Sequence, residues 1–273
     1  MNKAIYMPKG KAGEYAKYAC NFYIGCSNDC AYCYCKKGIL GHAMGKPQAK
    51  LKKCFKDKNN AYGTFIRELH DNYPELHQHG IFFTFTSDPL LPETQELTNA
   101  AVLYAVSNNV PCQILTKRAD FNVLLSFDYF KDKIAYGFTL TGRDELEPGA
   151  SPNLDRIEKM RTLHEKGFKT FASIEPIINL ESSYNMIDLS INYCDLYKIG
   201  LMSGKRDYTP QQVGKFMLKV HTLIKNHNCK VYWKDSVWQY IKANRETFNS
   251  LARLAGLKNI VNSDYNIFNT QKS

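Results

Sequence analysis

From Gly80 onward, short apolar runs alternate with stretches whose apolar residues recur at helical spacing, and this alternation limits the fold more than any other feature of the chain. The runs are residues 80–86 (GIFFTFT), 111–116 (PCQILT), 134–141 (IAYGFTLT), 169–175 (KTFASIE), 195–201 (DLYKIGL) and 230–233. Helices fit between them at 93–107, ended by Asn108-Asn109, at 153–166, closed by Gly167, and at 209–226, opened by Thr209-Pro210. An earlier strand is expected at 20–24. Strands separated by helices pair in parallel through right-handed crossovers, as an open doubly wound sheet or a complete or partial β/α barrel. In either, ligands gather at the carboxyl ends of the strands. Ser87-Asp88, Lys117-Arg118, Thr139 to Arg143 and Glu175 stand at those ends, although serine, threonine and aspartate there equally serve as helix caps.

The loop after that first strand carries Cys26, Cys30 and Cys33 within eight residues. Thiolates this dense hold metal. Three are one too few to close a tetrahedral zinc site or to cap every iron of a four-iron cluster, so one ligand position is left for something else. Nine cysteines without a secretory leader point to reduced thiols and a cytoplasmic location, and no apolar run is long enough for a membrane partner. With 44% hydrophobic and 23% charged residues the 273-residue chain is an ordinary globular one. The formal charge of +10 favours an anionic partner such as DNA or RNA. Its lysines are scattered from Lys3 to Lys272, which suits a solvated basic surface equally well.

The Cys-x3-Cys-x2-Cys loop after a first strand resembles that of the radical S-adenosylmethionine (radical SAM) superfamily. Further pieces resemble its spore photoproduct lyase-like branch: residues 5–15 running into 21–26, then Tyr32-Cys33-Tyr34, Thr86-Ser-Asp-Pro89 with Glu93 and Leu97-Thr98, Ile114-Leu-Thr-Lys117, and Phe138-Thr-Leu-Thr141 followed by Glu147-Pro-Gly-Ala-Ser-Pro152 and Arg156-Ile-Glu158. Together they span residues 5 to about 178. The resemblance implies an α/β fold, a partial (β/α)6-type TIM barrel over residues 19–228, with a lead-in at 1–18 and a short C-terminal extension at 229–273. It implies a [4Fe-4S] cluster on Cys26, Cys30 and Cys33, S-adenosylmethionine on the fourth iron, and an external electron donor such as flavodoxin or ferredoxin. Carried over by position, Tyr32 lies against the adenine, Ser87 and Asp88 meet the methionyl amine, Lys117 meets the carboxylate, and Thr139 contacts ribose or carboxylate. Tyr34 and Glu175 face the same mouth as candidate catalytic residues.

One departure bears on the substrate. In the lyase pattern the residue two before the Ser-Asp pair is a cysteine that returns hydrogen to the product radical, and here it is Phe85. Repair of a thymine dimer by that route is therefore not expected, and Cys35 and Cys54 are the thiols left as substitute donors. Cys20, Cys112, Cys194 and Cys229, in or beside strands, read as buried inert thiols. A rival class stays open. Cys26, Cys30 and Cys33 with Cys35, Cys20 or His42 would close a structural zinc site in a non-catalytic nucleic-acid-binding protein. A protein or small-molecule substrate is a third possibility.

Overall fold

In a computed structural model of the chain, residues 3–37, 41–251 and 257–268 are described. Parts of the expected lead-in and C-terminal extension, residues 1–2, 252–256 and 269–273, lie outside them. The chain forms two compact units, Met1–Tyr136 with Glu145–Ser151 and Phe268–Ser273, and Gly137–Asp144 with Pro152–Ile267.

The first unit contains β1 (Ile5–Tyr6), β2 (Ala19–Cys20), β3 (Tyr23–Ile24), α1 (Gly41–Met44), β4 (Lys50–Leu51), α2 (Lys58–Asp71), α3 (Tyr73–His79), β5 (Ile81–Phe83), α4 (Gln95–Ser107) and β6 (Cys112–Thr116). The strand β7 (Ile134–Thr139) begins in it and ends in the second unit. Its sheet runs in the order β1-β2-β5-β6, with β1 antiparallel to β2 and the later pairs parallel.

The single strand expected at 20–24 is two strands. Asn21 divides them: its N–H donates to the Ala4 carbonyl at 3.0 Å, and its side-chain oxygen accepts from the Phe85 N–H at 2.9 Å. Beyond it, Tyr23–Ile24 pairs antiparallel with Lys50–Leu51 instead. The same contact shortens the run at 80–86 to three residues, because Thr84 and Phe85 spend their hydrogen bonds on Asn21. The helix α2 precedes the alternation that begins at Gly80. Asp57 caps it, accepting from the Asn60 N–H at 2.7 Å, and its buried Phe65 meets Phe22 and Phe83.

The second unit contains α5 (Asn153–Glu165), β8 (Lys169–Ile177), α6 (Leu180–Ser190), β9 (Leu196–Leu201), α7 (Pro210–Ile224), β10 (Lys230–Trp233), α8 (Asp235–Ile241) and α9 (Arg245–Leu251). Its strands run β8-β9-β10, all parallel, with Ser173 opposite Lys198 and Lys198 opposite Tyr232. All six residues of β9 are buried, as parallel strands covered on both faces require. The fold is α/β with mostly parallel pairing, as the alternation implied. Among the described residues no helix is long and apolar enough to cross a membrane.

Where α7 begins, Thr209 accepts from the Gln212 N–H, and the Gln212 side chain accepts from the Thr209 N–H at 2.7 Å, with Pro210 in the first turn. Thr209→Ala is expected to cost about 1 kcal/mol, read as a lower Tm, with no effect on any ligand.

Candidate functional site

In the first unit, parallel pairing brings the carboxyl ends of β5 and β6 to one edge, where Ser87-Asp88 and Lys117 follow the strands. The Asp88 carboxylate joins these ends to the cysteine loop. One oxygen accepts from the Leu90 N–H at 3.0 Å and the Thr116 hydroxyl at 2.6 Å. The other accepts from the Asn28 side-chain amide at 2.8 Å and the Lys117 N–H at 2.7 Å. With four protein donors and 5% exposure, Asp88 is committed to holding the loop.

A second set of bonds ties the loop to residues 146–149. Ala31 donates to the Leu146 carbonyl at 2.9 Å and Gly149 to the Asn28 carbonyl at 3.1 Å. A Cβ at Gly149 would stand 2.0 Å from the Ser27 carbonyl oxygen, so only glycine allows this approach. The chain thereby delivers Glu147, whose side chain is fully buried, to the Tyr32 hydroxyl, which donates to it. Lys117 Nζ lies 3.9 Å from the same carboxylate and 5.6 Å from the centre of the Tyr32 ring. Tyr32 and Lys117, assigned to the two ends of one cofactor, are thus oriented by one buried acid.

Burial pushes the Cys26 thiol up to about 12, with the Asp88 charge adding to it, and burial also raises Cys30. Cys33 is held at about 6, chiefly by a hydrogen bond from the Cys35 side chain. Lys117 favours the thiolate at all three. Metal on these sulfurs must therefore displace protons from Cys26 and Cys30 at neutral pH.

Two buried polar atoms here have no hydrogen-bond partner, the Ser87 hydroxyl and the side-chain oxygen of Asn28. They flank the Asn28–Asp88 bond, Ser87 as the residue before Asp88 and the Asn28 oxygen as the other half of the donating amide. Buried acceptors left open in this way fit a ligand that brings its own donors, such as an ammonium group. Among the described residues no group of three or more His, Cys, Asp or Glu side chains is arranged to hold a single metal ion. The three thiolates of a four-iron cluster bind three different irons and need no such convergence.

Tyr34 is also in this unit. Tyr34 is 59% exposed and its hydroxyl donates to the Phe85 carbonyl, which also accepts from the Cys35 thiol at 3.8 Å. The Phe85 ring stacks on Phe82 at 4.6 Å. Cys20, Cys112, Cys194 and Cys229 are buried, and burial raises the thiol pKa of each. Thr139 and Glu175 belong to the second unit. The Thr139 carbonyl accepts from Arg156 at 2.7 Å, and Glu175 pairs with Lys234 at 2.8 Å. Asn28, Thr116 and Glu147 carry no functional signal in the sequence: Thr116 lies within a strand run, Glu147 within a segment after β7, and only the hydrogen bonds to Asp88 and Tyr32 give the three a role.

No known protein-family profile matches the chain. It is 30% identical over 176 residues to an uncharacterized protein of Methanocaldococcus jannaschii, a match covering 60% of this chain and 61% of that protein, so it spans less than two thirds of that relative. Among solved structures it is similar to a tyrosine-to-phenylalanine variant of spore photoproduct lyase, with TM-score 0.56 and 13% identity over 95% of this chain and 79% of the other. It is also similar to SuiB of Streptococcus suis bound to S-adenosylmethionine, with TM-score 0.53 and 12% identity over 80% of this chain and 52% of the other. At these identities the likeness is one of fold: the chain shares the fold of spore photoproduct lyase and of SuiB. One lyase variant was solved with a dinucleoside spore photoproduct, and SuiB with its precursor peptide SuiA.

Proposed function

We propose that this chain is a radical SAM enzyme that cleaves S-adenosylmethionine reductively and abstracts hydrogen from a nucleic-acid substrate, with its electron drawn from a donor such as flavodoxin or ferredoxin. Cys26, Cys30 and Cys33 would hold a four-iron, four-sulfur cluster, which would supply the electron for reductive cleavage of S-adenosylmethionine. The protein's share is to bind, orient and shelter. The observation that carries the reading is the Lys117–Glu147–Tyr32 group beside the cysteine loop: a cation for a carboxylate, an aromatic face for adenine, and one buried acid fixing both. Ser87 and Asn28 offer open acceptors to the methionyl amine, and Asp88 positions Asn28 and Lys117 without needing to touch the ligand. The basic surface and the lyase likeness support nucleic acid as substrate. With Phe85 at the lyase cysteine's position, Cys35 is the thiol that reaches that segment, so a reaction other than dimer repair is favoured.

The test is anaerobic purification, reconstitution with iron and sulfide, then reductant and S-adenosylmethionine. Formation of 5′-deoxyadenosine by a brown protein is the expected result. A colourless protein with stoichiometric zinc and no cleavage would overturn the assignment. Salt-dependent binding of DNA or RNA is expected, and no binding at low salt would remove nucleic acid from the proposal.

A further inference from the structure

Lysine is spread along the whole chain, but the excess of positive charge is not. Residues 1–58, which contain the cysteine loop, hold twelve lysines and three acidic residues, a net of +9, whereas the remaining 215 residues hold 24 basic and 23 acidic side chains. Some of the twelve are matched: Lys17 pairs with Glu75, Lys36 with Asp29 and Lys58 with Glu96. Lys46, Lys50, Lys53 and Lys56 are exposed, and among the described residues none of them pairs with an acid. Local pairing fixes where they run. The Lys46 carbonyl accepts from the Cys26 N–H at 2.9 Å, Lys50 stands opposite Ile24 in β4, and the Lys52 N–H donates to the Phe22 carbonyl at 2.9 Å. The lysines therefore follow one run of chain that starts against the cysteine loop, and Lys46 to Lys53 spans at most about 23 Å when extended.

This run borders a cleft of about 670 Å³ that belongs wholly to the first unit. Its size is that of a small-ligand site. Pro47, Ala49 and Pro92 give it apolar walls, and Gln48 lines it from between Lys46 and Lys50. Glu93 also lines it: one carboxylate oxygen accepts from the Ser27 hydroxyl at 3.1 Å, and the other has no donor among the described residues. Arg118 donates to both oxygens of Asp120 and to the Gly149 carbonyl, which leaves one N–H on each terminal nitrogen.

The two parts make opposite demands. The lysines call for negative charge, while the open oxygen of Glu93 calls for a donor and would repel the carboxylate of an acidic protein. A nucleotide meets both, with its phosphates outside on the lysines, its base between the apolar walls and an exocyclic amine donating to Glu93. A base can enter such a cleft only when it is unpaired and unstacked, so the ligand is a single strand. We propose that this cleft, on the cysteine loop at Ser27, binds one amine-bearing base of a single-stranded nucleic acid whose phosphates lie along Lys46, Lys50 and Lys53. The inference rests on the nucleic-acid part of the proposed function and needs none of its radical chemistry.

The test uses the full chain as isolated, without cluster or S-adenosylmethionine, and fluorescein-labelled dodecamers of deoxycytidylate, thymidylate and cytidylate, with binding read by anisotropy. Deoxycytidylate is expected to bind about 10-fold more tightly than thymidylate, which lacks the amine. Deoxycytidylate against cytidylate then distinguishes a DNA from an RNA source. The triple variant Lys46→Gln, Lys50→Gln, Lys53→Gln should weaken every dodecamer alike and flatten the slope of log affinity against log salt by about 2, at roughly 0.7 per phosphate contact on a single strand. Glu93→Gln keeps an oxygen for Ser27 and turns a donor toward the base, so it should reverse the preference in favour of thymidylate with the salt slope unchanged. A Glu93→Gln protein that weakens both without changing their order would show that Glu93 is structural and refute the cleft. Binding by wild type with no base preference, and with the same salt slope in the triple variant, would refute the cleft and leave the nucleic-acid reading standing. No binding by wild type at low salt would remove both. Poly-L-glutamate bound as tightly as the dodecamers, and lost in the triple variant, would reassign the lysines to an acidic protein partner and overturn the proposal.

Discussion

Asp88→Ala is expected to strip iron from the reconstituted protein nearly as completely as Cys30→Ala, although Asp88 is no ligand. Cys30→Ala removes a sulfur outright and should abolish 5′-deoxyadenosine formation with little change in Tm. Asp88→Ala instead strands four donors at once: the N–H groups of Leu90 and Lys117, the Thr116 hydroxyl and the Asn28 amide. Each buried donor left without an acceptor costs about 1–3 kcal/mol. These losses overlap, and roughly 4 kcal/mol in all, or about 10 °C in Tm, is the expected sum. The same change frees Asn28 and lets the loop drift from β5 and β6. Groups that hold metal ligands in place are typically worth about 10–100-fold in metal affinity, and that is the loss predicted here. Asp88→Asn should recover part of the Tm, since it keeps one acceptor oxygen and turns the other into a donor facing donors. Wild-type iron content and Tm in Asp88→Ala would show that the loop holds itself.

Lys117→Ala is expected to weaken S-adenosylmethionine binding about 10–150-fold while leaving the iron in place. This is the loss of one charge-assisted hydrogen bond, about 1.5–3 kcal/mol. A second penalty comes with it. Glu147 is fully buried and Lys117 is 3.9 Å away, so removing the amine takes a neighbouring cation from a buried carboxylate that also accepts from the Tyr32 hydroxyl. Breaking one side of a buried pair costs about 3–5 kcal/mol, and the loose 3.9 Å geometry places this one at about 2 kcal/mol. The two effects can be separated. Adding Glu147→Gln to Lys117→Ala should return most of the lost Tm, because a neutral amide replaces the stranded charge, and should return none of the affinity. Unchanged S-adenosylmethionine affinity in Lys117→Ala would take Lys117 out of the site. Recovered affinity in the double variant would mean that Glu147, and not the ligand, is what Lys117 serves.

Much of the fold could be read from the chain. The strand at 230–233 has the bounds that periodicity assigns it and the helix expected at 153–166 starts at Asn153 and ends one residue earlier, because their apolar spacing and end signals are local. The first 79 residues were harder. The strand at 20–24 breaks at Asn21 because a side-chain amide takes hydrogen bonds that a regular strand would keep, and α2 follows a cap at Asp57 that no clear periodicity announces.

The candidate site divides the same way. Residue type and spacing by themselves determined the α/β alternation, the three-thiol loop and the placing of Ser87 and Lys117 after strands, since each depends on neighbours a few positions away. Tertiary structure alone decided that Asp88 is a clasp, that Glu147 orients both Tyr32 and Lys117, and that Glu175 and Lys234 pair across β9. The partners in those contacts are 60 residues apart for Asn28 and Asp88, 115 for Tyr32 and Glu147, and 59 for Glu175 and Lys234. Which donor meets which acceptor over such separations is set by strand register and crossover, and a linear pattern of residue types does not encode either one locally.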